Sequence, residues 1–227
     1  MIVGSGMLAR AFEPLAGRTD VLVHAAGVSN SRCTDAGAFE RERRAVERSL
    51  ELGKRADRLL YFSTCSVDDP VDGTTPYARH KLAMEALVAR HPGHVIVRLP
   101  QVVGDTPNPH TLINYLRDRI VSGERFAVWG GARRNLIDCD DVRAIVLALL
   151  DSGASGIVAN VANPEDYAVR DIVEALERAT GRRASYDVVD RGGGHAIDIS
   201  LIRPLIASSG VAFGPGYLDR VIGKYYA

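Results

Sequence analysis

The chain has 227 residues, enough for a substantial core in one domain or in one domain with a small appendage. Apolar residues make up 46% and charged residues 25%, as in an ordinary soluble globular protein. The 28 Lys and Arg balance 28 Asp and Glu, and zero net charge argues against nucleic acid or an anionic membrane as partner.

Met1-Ile2-Val3 is a short apolar run ending in Gly4-Ser5-Gly6. A helical pattern follows, with Met7, Leu8, Ala11, Phe12 and Leu15 on one face. Gly4-Ser5-Gly6-Met7-Leu8-Ala9 matches G-x-G-x-x-A between a strand and a helix. The first glycine permits the tight turn, the second lets backbone approach a pyrophosphate, and the small third residue lets helix pack on strand. An acidic strand end is expected about 20 residues later to hold the adenine ribose. None is present, because the first helix runs almost directly into Asp20 to Ala26 (DVLVHAA), a buried strand ending in Gly27. One β-α-β segment of the adenine-binding half is missing. Arg10 and Arg18 lie nearby; as 2′-phosphate ligands they would lean the cofactor to NADP over NAD, and as solvated surface residues they would say nothing.

Ala36 to Asp57 reads as a long helix whose charges alternate in sign, the pattern of a solvated face. Leu59 to Ser63 is a buried strand, followed directly by the hydroxyls of Ser63-Thr64-Cys65-Ser66. Hydroxyls at the C-terminal end of such a strand face the ligand crevice of an α/β sheet. Asp68 to Pro76 is a loop, and Pro76 opens a helix running to about Arg90. Tyr77 and Lys81 stand four apart at its start, on one face and a turn apart. A lysine ammonium there stabilises phenolate and lowers the phenol pKa, so that Tyr77 can exchange a proton at neutral pH.

Val95 to Leu99 is a strand stopped by Pro100; Thr111 to Val121 and Cys139 to Leu150 are helices; Gly156 to Val161 is a strand. Val169 to Thr180 is a helix closed by Gly181, and a Gly-rich loop (Gly192 to Gly194) precedes a terminal helix. Strands alternating with helices predict a Rossmann-type doubly wound parallel sheet, α/β in class and truncated in its adenine-binding half. The whole of 1–227 reads as a single domain, with substrate-capping segments mainly within 104–140 and 181–227. Cys33, Cys65 and Cys139 have neither zinc nor disulfide spacing, so no metal is expected and a reducing cytoplasm fits. No signal-peptide pattern is visible, and the longest aliphatic run, Ala144 to Leu150, is too short to span a bilayer. His24 and His195 have no evident partner and read as core or surface residues.

Taken together, GSGMLA, HAAG, STCS and YARHK in this order resemble the extended short-chain dehydrogenase/reductase family, in particular its sugar-nucleotide epimerases, reductases and dehydratases. The resemblance covers nearly the whole chain. VLVHAAG is similar to the family strand beneath the nicotinamide ribose, which implies cofactor contacts at Ala25, Ala26 and Gly27 beside those of Gly4, Ser5, Gly6, Met7, Leu8 and Arg10. VIVRLPQVVG resembles the strand and loop beside the nicotinamide, implying Leu99, Pro100 and Val102. By the same resemblance Thr64, with Ser63 and Ser66 close by, would hydrogen-bond the substrate oxygen, Tyr77 would transfer its proton, and Lys81 would bind the nicotinamide ribose. Asn108, His110 and Thr111 lie where the family contacts substrate, with Ser66 beside them. FAVWGGARRNLIDCDDV is similar to the segment in which an arginine meets the nucleotide diphosphate; Arg134 matches best and Arg133 competes.

The family's dehydratases carry Asp-Glu after the threonine, where this chain has Cys65-Ser66, so 4,6-dehydration is not expected. Cys65 and His110 resemble the pair that serves epimerisation in GDP-fucose synthases, although Cys65 stands one residue off; the other reading is a small cysteine lining the cleft. The resemblance implies an NAD(P)-dependent reductase or epimerase acting on a nucleotide-linked sugar, dimerising through the charged helix and the Tyr77 helix. The alternative is a Rossmann-type nucleotide or nucleotide-sugar binding or regulatory protein without catalysis.

Overall fold

The computed structural model describes residues 1–227. The first half of the chain forms β1 (Ile2–Val3), α1 (Met7–Ala11), β2 (Val21–His24), α2 (Ala36–Leu52), β3 (Arg58–Thr64), α3 (Pro76–Val88), β4 (His94–Leu99) and β5 (Gln101–Val103). The second half forms α4 (Leu112–Ser122), β6 (Phe126–Trp129), β7 (Arg133–Asp138), α5 (Cys139–Asp151), β8 (Ile157–Asn160), β9 (Asp166–Ala168), α6 (Val169–Thr180), β10 (Tyr186–Val189), α7 (Arg203–Ser209) and α8 (Tyr217–Tyr226). No helix is long and apolar enough to cross a membrane.

The central sheet has the order β1-β2-β3-β4-β8, with every pair parallel. Helices cover both faces, so β2 is buried throughout and β3 nearly so, as apolar runs in parallel sheets require. Alternate strand residues divide between the faces. Val21, Val23, Leu60, Phe62, Val95 and Val97 pack with Phe12 and Leu15, with α5, and with Ile199 and Ile202 ahead of α7. Leu22, Leu59, Tyr61 and Ile96 pack with Val46 of α2 and with Met84 and Val88 of α3.

No strand lies beyond β1. In a full doubly wound sheet the first strand is internal, so the missing β-α-β segment read from the sequence is visible here as an edge. The edge changes the hand of the first unit. From β1 to β4 the chain steps across the sheet in one direction, yet α1 packs on the α5 face while α2 and α3 pack on the other. The β1-α1-β2 unit is therefore opposite in hand to the two units that follow. With those right-handed, as nearly all such crossovers are, the first is left-handed.

A second core lies over the C-terminal ends of the strands. It joins α4, β6, β7, α6 and α8 through Ile113, Leu116, Phe126, Leu136, Ile172, Leu176 and Val221, among others. Its strands pair over long separations: β10 with β6, and β7 with both β5 and β9. Polar contacts fix α8 to the start of α5. Asp138 caps α5 by accepting from Asp140 N at 2.9 Å, and it also accepts from Lys224 Nζ and the Tyr225 hydroxyl, both at 2.8 Å. Residues 181–227, within which a capping segment is expected, divide: β10 and α8 belong to this second core, whereas the Ile199–Ile202 stretch and α7 pack against the central sheet.

Candidate active site

The site begins where three strands end. Gly4 follows β1 with φ +128°, and a Cβ there would lie 2.5 Å from the Ala25 carbonyl oxygen. Only glycine permits this crossing of the first two strand ends. A Cβ on Gly6 would meet nothing within 4 Å, so the second glycine borders open space. Thr64 ends β3 and accepts from Ser66 N at 3.2 Å, and its hydroxyl also lies within hydrogen-bonding reach of the Tyr77 phenol. Thr75 caps α3 by accepting from Ala78 N at 3.2 Å, with Pro76 in the first turn. That cap sets Tyr77 and Lys81 against the end of β3, and both side chains are buried.

One cavity of about 570 Å³ gathers these groups. Of the site residues expected from the sequence it lacks only Gly4 and Ala26, at the crossing of the first two strand ends, and Arg18. Thr64, Tyr77 and Lys81 share it with Ser5, Gly6, Met7, Leu8 and Arg10, with Ala25, Gly27, Leu99, Pro100 and Val102, and with Cys65, Ser66, Asn108, His110, Thr111 and Arg134.

Residues 6–162 match the NAD dependent epimerase/dehydratase family. The chain belongs to this family. Its fold resembles that of UDP-glucuronic acid 4-epimerase from Bacillus cereus, solved with UDP-glucuronic acid and NAD (TM-score 0.74, 21% identity, 95% of this chain and 76% of that one). It also resembles UDP-glucose 4-epimerase from Bifidobacterium longum, solved with NAD+ and UDP (TM-score 0.72, 19% identity, 97% and 80%). A third likeness is to RMD from Pseudomonas aeruginosa, complexed with NADPH (TM-score 0.67, 19% identity, 98% and 87%). No curated protein matches the chain.

In this member of the epimerase/dehydratase family the lysine is held by a residue that the sequence reading assigned to a solvated helix face. Glu42 of α2 is 2% exposed and Lys81 is 3% exposed. Lys81 Nζ lies 2.7 Å from Glu42 Oε1 and donates to the Tyr61 hydroxyl at 3.2 Å. The other groups on Glu42 are the Tyr61 hydroxyl at 2.8 Å, Val28 N at 2.8 Å and His80 Nε2 at 3.0 Å. Burial would raise the Glu42 pKa, but Lys81, Val28 N and the Tyr61 hydroxyl hold it down at about 2. Only the outer side of α2 fits the expected solvated face, where Arg43 and Arg44 pair with Glu40. The inner stripe of Glu42, Val46 and Ser49 is buried.

The Tyr77 phenol also differs from expectation. Burial pushes its pKa up, and the nearby Glu42 charge adds to this; Lys81 pulls it down, but the net displacement is upward. A lysine whose charge is already shared with Glu42 is a weak activator. Cys65 lines the cavity as expected, yet burial pushes its thiol up to about 12, so at neutral pH it is a thiol and not a thiolate.

Arg10 sits at the cavity wall, donating to the Asp105 carbonyl at 2.7 Å and to the Ser5 carbonyl at 3.4 Å. Arg18 is elsewhere. It pairs with Asp20 at 2.6 Å, at the N-terminal end of β2, and with Asp151 at 3.3 Å. That is the opposite end of the sheet from the crevice, so Arg18, against expectation, cannot meet a 2′-phosphate bound there. Arg133 and Arg134 both line the cavity and donate to backbone carbonyls: Arg133 to that of Asp166, Arg134 to that of Arg133 at 2.7 Å. His195, just after the glycine-rich loop, lines the same wall, a placement no local pattern signalled.

His24 ends β2 at 1% exposure, with Nδ1 2.8 Å from the Ser49 hydroxyl and Nε2 unpaired. Burial pushes its pKa down to about 4 from 6.5. The unfolded chain therefore binds the proton first as pH falls, and stability drops between pH 6.5 and pH 4 by ~3 kcal/mol from this residue. Urea unfolding of wild type and His24→Asn at pH 7 and pH 4.5 checks this: the variant should lose less stability on acidification.

Proposed function

We propose that the chain is an NAD(P)-dependent oxidoreductase or epimerase acting on a nucleotide-linked sugar. The observation that carries this reading is the meeting of Thr64, Tyr77 and Lys81 in one cavity, with the glycine turn on one wall and Arg133 and Arg134 on another. A bound nicotinamide would take up and return a hydride at a sugar carbon. The chain's own part is to move the matching proton. Thr64 donates to the substrate oxygen and fixes its direction. Tyr77 exchanges a proton with that oxygen as the carbon changes oxidation state. Lys81 has three N–H groups, of which Glu42 and Tyr61 take two; the third is free for a ribose hydroxyl. One or both of the two arginines meet the diphosphate of the sugar nucleotide.

The residues fit the two halves of a dinucleotide unequally. Gly4, Gly6, Lys81, Leu99 and Pro100 suit the pyrophosphate and nicotinamide ribose. On the adenosine side the sheet ends at β1, with no strand end to hold the ribose. That asymmetry favours the second reading, a nucleotide or nucleotide-sugar binding protein without catalysis. Calorimetric titration with NAD(H), NADP(H) and UDP, followed by incubation with UDP-glucuronic acid or UDP-glucose, separates the two. The catalytic reading expects a nicotinamide nucleotide to bind and a sugar to be interconverted or reduced. Binding of UDP alone, with no nicotinamide nucleotide taken, would overturn it. We further expect a homodimer through the outer sides of α2 and α3, measurable by light scattering.

A further inference from the structure

A buried carboxylate in contact with the site's lysine is outside the reaction scheme above, and its surroundings define a role. Glu42 comes from α2 and does not itself line the cavity; Lys81, which does, meets it from α3. Gly27, just after β2, makes room for the pair, because a Cβ there would stand 2.7 Å from Lys81 Nζ and 2.9 Å from Glu42 Oε1. Tyr61 donates to the same Oε1 from β3. His80, stacked on Phe39 with ring centroids 4.4 Å apart, closes the outer side at Oε2. Both carboxylate oxygens are thus held, Oε2 also by Val28 N, and the carboxylate holds the ammonium in turn. Lys81 Nζ remains 5.9 Å from the centre of the Tyr77 ring.

We propose that Glu42 is a positioning residue that acts through Lys81: by sharing the lysine's charge it determines how tightly Tyr77 holds its proton. Two charges in opposition leave the phenol with little net field, and burial then favours its neutral form. With Glu42 uncharged, the ammonium would be a lone buried cation, and a nearby phenolate would become its cheapest counter-ion. The proposal rests on the reading of Tyr77 as the acid/base.

The groups facing Tyr77 and its lysine are few. Glu42 comes from α2, Cys33 from the segment ahead of it, His24 from β2, Tyr61 and Thr64 from β3, and His80 and Lys81 from α3 itself. Tyr61 is the rival, since its hydroxyl is also in contact with Lys81.

The test is an ultraviolet difference titration of tyrosine ionisation in the ligand-free full chain, comparing wild type with Glu42→Gln. Each is repeated with Tyr77→Phe added to assign the signal. The expected result is a Tyr77 midpoint lower by about one pH unit in Glu42→Gln, with a matching displacement of the pH–turnover profile. A purely structural glutamate would lower stability and leave the midpoint in place, and that outcome overturns the proposal. A displaced titration that survives Tyr77→Phe belongs to Tyr61 and also overturns it. Should Glu42→Gln fail to fold, Glu42→Asp draws the charge back by one methylene; a smaller displacement in the same direction is expected, and none would overturn. The titration needs no substrate, so failure of the proposed reaction would be seen separately, as absent turnover beside an intact titration result.

Discussion

Replacing Tyr77 by phenylalanine is expected to lower turnover of a nucleotide sugar by about 10²- to 10⁴-fold, the range for losing a positioned proton donor. The fold should hold. The ring stays buried against Lys81, and only a hydroxyl is removed from a position whose helix is already fixed by the Thr75 cap and Pro76. Binding of nicotinamide nucleotide should change by no more than about two-fold, because the ribose contact is assigned to Lys81 and the pyrophosphate contact to the glycine turn. Kinetics with a UDP-sugar, calorimetric binding and a thermal melt measure the three quantities. Unchanged turnover would remove Tyr77 from the mechanism.

Replacing Lys81 by methionine is expected to act on stability as well as turnover. Glu42 would be left as a buried carboxylate without its cation, at a cost of about 3–5 kcal/mol. The sign with pH follows from the depressed Glu42 pKa. In the wild type that depression stabilises the fold above the ordinary carboxylate range near 4.5, and the stabilisation is lost as pH falls through about 2. In Lys81→Met the stabilisation disappears, so the deficit is largest at neutral pH and shrinks as Glu42 is allowed to protonate. Adding Glu42→Gln should return most of the lost stability without restoring turnover. Urea denaturation of the single and double variants at pH 7 and pH 5 reads this directly. A single variant as stable as wild type would mean that the pair is not desolvated.

The parts of the site legible in the sequence lie at element boundaries, where local chemistry and position coincide. Gly4 and Gly6 must turn the chain after a strand, Thr64 must follow one, and Tyr77 and Lys81 must begin a helix that Pro76 opens. Spacing also revealed what is missing, because no strand fits between Leu15 and Asp20. Glu42 was hidden for the opposite reason. It stands among Glu40, Arg41, Arg43 and Arg44 on a helix whose only fully buried apolar residue is Val46. Its burial is decided by where α2 lands between β2 and β3, and by a lysine 39 residues away. The stripe of Phe39, Glu42, Val46 and Ser49 carries the helical spacing that marks an inner face, had charge not been taken as a sign of solvent. The strands of the second core were hidden by length and distance. They run three to six residues, and β10 finds β6 across some sixty residues through the register Tyr186–Phe126 to Val189–Trp129. Side-chain alternation alone does not name a partner that far off.

The left-handed first crossover has a bearing on how the glycine turn is held. β1 is joined to the sheet on one side only, over two residues, Ile2 beside Val23 and Val3 beside His24. Beyond the turn, α1 has five residues, and the chain's grip on the core comes from Phe12 and Leu15. A segment with so short a ladder and so few apolar anchors opens at a lower free energy than the sheet behind it. Were this turn to receive a phosphate, its binding and the local folding of the first sixteen residues would be one equilibrium. The affinity would then be set partly by Phe12 and Leu15, which pack in the core and do not line the cavity.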